Sequence, residues 1–132
     1  MMNIYNLLFY STYLLAKRSK NYQGMEVFGG IIFVVICLVF NFYSLIFLYE
    51  FVSNDSFFDK IHGFYRFLPT LLIAILVFLY YHYNDRYKKK LNKYEFKQIS
   101  TTKCILIVVV YYVISFLLML LSGMLRNGDL IN

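Results

Sequence analysis

Apolar residues in this chain run in unbroken blocks, without the short alternations of a soluble domain. Residues 27–49 form a block of 23 positions with no charged side chain, 67–84 one of 18 with His82 taken as neutral, and 104–125 one of 22. A helix rising about 1.5 Å per residue needs around 20 such positions to cross a hydrocarbon layer of roughly 30 Å. A soluble core helix would show polar residues every three or four positions, and these blocks do not. IIFVVICLVF and VVVYYVISF are β-branched enough for buried strands, but such strands run about 4–8 residues between turn signals. The pattern predicts an all-α integral membrane protein with three transmembrane helices, at 26–51, 67–84 and 104–125, packed in a small bundle.

The first 22 residues follow a different pattern. Asn3, Asn6, Tyr10, Tyr13, Lys17 and Lys20 recur at spacings of 3, 4, 3, 4 and 3 and share one helical face, with Ile4, Leu7, Leu8, Leu14 and Leu15 opposite. That arrangement predicts an N-terminal amphipathic interfacial helix over 1–22, lying in the membrane surface. A fourth crossing is the competing reading, and sixteen uncharged residues are short for one. The positive charges follow the apolar stretch, the reverse of a secretory signal peptide.

Composition agrees: 61% of residues are hydrophobic and 15% charged, against about 45–50% and 25% in globular domains. The 13 Lys and Arg residues set an orientation. Three precede the first span, two lie in the 52–66 loop, seven in the 85–103 loop and one in the 126–132 tail. Basic short loops stay cytoplasmic, so the N-terminus and the 85–103 loop are expected inside, the 52–66 loop and the tail outside. Lys17, Arg18, Lys20, Arg86, Lys88, Lys89, Lys90, Lys93, Lys97 and Lys103 are then expected against an anionic inner leaflet, each worth about 1 kcal/mol. Tyr87, Tyr94 and Phe96 interleave with them as a single-strand binder would want, but a loop tethered at both ends leaves little room for a groove. No nucleic-acid partner is expected. Phe57, Phe58, Phe64 and Tyr65 are expected as an outer aromatic belt, and Tyr80, Tyr81 and Tyr83 as an inner one.

Lipid gives helices no hydrophobic reason to associate, so small and polar residues mark where they touch. In the first span Gly30, Val34, Cys37, Asn41, Ser44 and Leu48 recur at helical spacing; in the third, Cys104, Val108, Tyr111, Ser115, Leu118 and Ser122 do so. Thr70, Ala74, Val77 and Tyr81 form a shorter seam in the second. Gly30, Cys37, Asn41, Ser44, Thr70, Ala74, Tyr111, Ser115 and Ser122 are therefore the candidate helix-packing or partner-binding residues. Asn41, near mid-span, needs a partner: Tyr111 or Ser115 in the same protomer, or a group on another chain.

Catalysis finds no support. No Asp, Glu, Lys or Arg lies within the core of a span, where proton-coupled machinery usually places one. Glu50 sits at the outer edge, where solvation is expected. His62 and His82 fall on opposite sides. Cys37, deep in the first span, and Cys104, at the membrane edge, are too far apart for a disulfide, and Cys104 is expected to be reachable from the cytoplasm. No catalytic, cofactor or metal residue is expected. In size and span count the chain resembles phage holins, although those typically end in a charged cytoplasmic tail. It also resembles the small multi-pass proteins that accompany bacterial toxins and defence systems, including membrane-embedded immunity proteins. The resulting expectation is a non-catalytic bacterial inner-membrane protein that binds a membrane partner as an accessory or immunity-type subunit. The alternatives are a small homo-oligomeric pore lined by the Asn41 face and a lipid-surface organiser.

Overall fold

The computed structural model describes residues 2–19, 24–61, 63–95 and 100–128. These are helical, with no strand among the described residues: α1 (Met2–Arg18), α2 (Glu26–Ser53), α3 (Phe57–Lys60), α4 (Leu68–His82), α5 (Arg86–Glu95) and α6 (Thr101–Asn127). At about 1.5 Å per residue, the 28 residues of α2 and 27 of α6 give lengths near 40 Å. The 15 residues of α4 give only about 22 Å. The 3-10 turn Gly63–Phe67 abuts its first residue and lengthens the rod, and the kinked turn Tyr83–Asp85 follows its last. Three helical segments are thus long and apolar enough to cross a membrane.

The ends of these helices follow from local chemistry. Pro69 occupies the first turn of α4, where its missing N–H would be unpaired in any case. Asn84 and Asp85, both at φ 51°, turn the chain out of α4 and into α5. Ser100 caps α6 by accepting from the Lys103 N–H. Gly128, at φ 79°, ends α6 in the left-handed conformation and donates its N–H to the Leu125 carbonyl.

α2 is the central element and packs against α1, α4 and α6; α1 also packs on α6 and α5. Over Met2–Arg18 this departs from the interfacial reading of the first 22 residues. Leu8, Phe9, Tyr10 and Ser11 are all buried, and four consecutive helical positions sample nearly the whole circumference. Protein therefore covers α1 all round at that level. Asn6 is buried too, on the face expected to meet water, as is Leu8, on the face expected to meet lipid. Exposed on α1 are Ile4 and the basic end, Lys17 and Arg18; Lys20 lies outside the described residues, and so does Lys97.

The 85–103 segment is likewise more than a loop. Its α5 packs on α1 and α4, burying Leu91 in the same core as Leu8, Phe9, Ile31, Val34, Val77 and Tyr81. Tyr81, expected both in an inner aromatic belt and in the second-span seam, is buried as a seam residue, stacked on Phe9 with ring centroids 4.4 Å apart. Cys104, expected at an accessible membrane edge, is fully buried like Cys37.

Candidate functional site

The polar side chains of the spans gather at two levels, each joining different helices. At the deeper level, Asn41 of α2 donates from Nδ2 to the Tyr111 hydroxyl of α6 at 3.1 Å and to the Tyr5 hydroxyl of α1 at 3.0 Å. A side-chain amide has two N–H donors, and both find acceptors here. The Tyr5 and Tyr111 rings meet edge-on, 6.1 Å apart. One residue later, Asn6 accepts from the Tyr81 hydroxyl of α4 at 3.2 Å. Tyr5 and Asn6 thus connect α1 to all three long helices. Sequence reasoning missed both, because it assigned them to a membrane-surface helix; the signal available was that Tyr and Asn in lipid seek protein partners.

α1 approaches α2 closely at Gly30. A Cβ there would lie 2.8 Å from a Phe9 ring carbon and 3.0 Å from the Phe9 carbonyl oxygen, so only glycine fits without movement. Val34 and Cys37 continue this buried stripe, and Asn41 and Ser44 follow it, but Leu48 has left it and is exposed. On α6, Cys104, Ser115 and Ser122 are buried and Tyr111 is half-buried, whereas Leu118 points outward.

The second level lies toward the opposite end of α2. Ser44 and Ser122 pair at 2.9 Å, and Ser122 also donates to the Leu118 carbonyl. On the other flank of α2, the Tyr43 hydroxyl donates to the Arg66 carbonyl at 2.9 Å and lies 3.0 Å from the Thr70 hydroxyl. Ala74, one turn further along α4, is half-buried and lines a groove between α2 and α4.

Beyond this level stands an ion-pair cluster that corrects the reading of Glu50 as a solvated edge residue. Glu50 is 3% exposed, and Arg126 Nε lies 2.7 Å from its carboxylate. The second face of the guanidinium fork reaches Asp59 of α3 at 2.5 Å, and the Phe47 ring lies 5.3 Å away. Arg126 was expected in a free tail; it belongs to the last turn of α6 and ties α2, α3 and α6 together. By its hydrogen bond first and its charge second, Arg126 holds the Asp59 carboxyl below the usual carboxylate range.

At the other end of the molecule are the basic residues. Lys17, Arg18, Lys88, Lys89, Lys93 and Lys103 are exposed, and Arg86 and Lys90 are half-buried. Lys88 pairs with Asp85 at 3.4 Å. Among the described residues no three His, Cys, Asp or Glu side chains gather as metal ligands. The His82 ring stacks on Phe78 at 4.0 Å, and its Nδ1 lies 3.1 Å from the Phe78 carbonyl; His62 lies outside the described residues. No family model, curated protein or solved structure matches the chain.

Proposed function

We propose that the chain is a non-catalytic, multi-pass subunit of a bacterial inner membrane that binds a membrane-protein partner, in the manner of an accessory or immunity subunit. Its N-terminus is cytoplasmic and its C-terminal end outside, as the charge distribution favours. The observation that carries this reading is the closure of the polar seam. Both Asn41 donors end on tyrosine hydroxyls of the same chain, and Phe9 fills the space over Gly30. A pore lined by the Asn41 face would need that face turned to a lumen. A lipid-surface role has less support, because protein covers α1.

With the Asn41 amide donors and the Ser44–Ser122 pair satisfied, recognition falls to the outer faces. α4 buries only Val77 and Tyr81. Its other flank leaves a groove of about 350 Å³ against α2, lined by Ile32, Ile36, Ile75 and Leu79, among others. In this reading an apolar helix of the partner seats there, since van der Waals packing drives helix association in lipid. The test combines two measurements. A photo-crosslinking side chain at Ile75 should give one discrete protein adduct in cells, whereas the same group at Val109, on the exposed face of α6, should not. Liposomes carrying wild type or Asn41→Leu should both be tight to small ions. Ion leakage by wild type that Asn41→Leu abolishes would replace this reading with the pore, because a narrow lumen made apolar closes by dewetting.

A further inference from the structure

The basic residues of α5 are arranged more specifically than orientation in a membrane requires. Arg86, Lys89, Lys90 and Lys93 stand at i, i+3, i+4 and i+7, one face of the helix. With Tyr80 at the end of α4 they line a recess of about 390 Å³. Arg86 is held in place by two rings, its guanidinium carbon 5.0 Å from the Tyr80 centroid and 5.2 Å from the Tyr83 centroid. Stacking engages the faces of a guanidinium and leaves its edge donors for a forked contact with phosphate. The opposite face of α5 is anchored through Leu91 in the core, so the recess has a fixed wall.

Among the described residues, no carboxylate lines the recess. Asp85, the nearest acid in sequence, is engaged with Lys88, which is not among the lining residues. Among the described residues, Lys89, Lys90 and Lys93 have no carboxylate within ion-pair distance. Like charges three and four positions apart on a helix repel, so four cations gathered on one face favour an anion between them. The apolar surface continuous with the recess points to the form of that anion. Leu76 and Leu72 stand one and two turns before Tyr80 on the same face of α4, and they are 58% and 59% exposed.

We propose that the recess bounded by Tyr80, Arg86, Lys89, Lys90 and Lys93 binds the phosphodiester headgroup of an anionic phospholipid. The acyl chains then run down α4 over Leu76 and Leu72. The proposal rests on α4 being a membrane span and is independent of the partner-binding reading. Basic pockets beside membrane helices are a recurrent means of holding anionic headgroups.

The test uses the full chain purified in a neutral detergent and native mass spectrometry with short-chain phosphatidylglycerol, phosphatidylcholine or inorganic phosphate. One phosphatidylglycerol should bind about tenfold or more tightly than phosphatidylcholine, and Arg86→Gln with Lys90→Gln should remove about that factor. Lys103→Gln and Lys17→Gln remove equal charge elsewhere and should change binding less than about twofold. Arg86→Lys keeps the charge but loses the fork and the stacking, so it should weaken binding measurably while circular dichroism confirms an intact fold. Equal losses from the Lys103 and Arg86 variants would mean diffuse attraction and overturn the site. Inorganic phosphate binding as tightly as the lipid would overturn the lipid assignment.

Discussion

Gly30 is where the packing of α1 is most exacting. The nearest obstacle to an added methyl is the Phe9 ring, but the Phe9 carbonyl oxygen at 3.0 Å belongs to the backbone, so relief requires α1 itself to move. Gly30→Ala is expected to cost about 1–3 kcal/mol, as overpacking of a tight interior does. Gly29 supplies the control. Its nearest neighbour is the Ala16 Cβ at 4.0 Å, an ordinary contact, and alanine is the better helix former. Gly29→Ala should therefore be neutral or mildly stabilising. Unfolding of both variants in mixed detergent–dodecyl sulfate, followed by circular dichroism, separates them. Equal midpoints would mean that close approach at Gly30 does not hold α1 in place.

Among the elements, the three spans were readable because each is an uninterrupted apolar block of the length a membrane crossing needs. Their lateral contacts were partly readable too: few small or polar residues occur in a span, so those present mark the seams that Ser44, Asn41 and Ser122 occupy. α1 was misread for a physical reason. Helical periodicity reveals that Asn6 and Tyr10 share a face but not which way that face points. In water polar groups turn outward; inside a membrane bundle they turn toward one another. The same error placed Cys104 at an open edge. Both thiols are fully buried, so membrane-impermeant maleimide should label neither Cys37 nor Cys104 in intact or broken membranes, and both after dodecyl sulfate unfolding. Rapid labelling of Cys104 alone in broken membranes would show that the N-terminal end of α6 is open. The 3-10 ends of α4 and the helix within 85–103 carried no such signal, because turn chemistry and tertiary contact with α1 decide them.

The whole molecule has an end of nearly balanced charge, tied by the Glu50–Arg126–Asp59 cluster, and a basic end built from α5 and the last turn of α1. Basic short loops are retained in the cytoplasm. A reporter active only outside the cytoplasm should be silent when fused after Lys93 and active after Asn132. An active Lys93 fusion with a silent Asn132 fusion would invert the arrangement. Either way, the placement of α1 has a consequence for how the chain is made. α1 is the first described helix to be synthesised, yet the groups it rests on, Asn41, Tyr81 and Tyr111, are spread over nearly all of the later chain. Its docking is complete only with the last described helix, which brings Tyr111, although its contacts with α2 and α4 precede that. A nascent chain stalled before α6 already holds Asn41 and Tyr81, the partners of Tyr5 and Asn6, and lacks only the Tyr111 ring and hydroxyl.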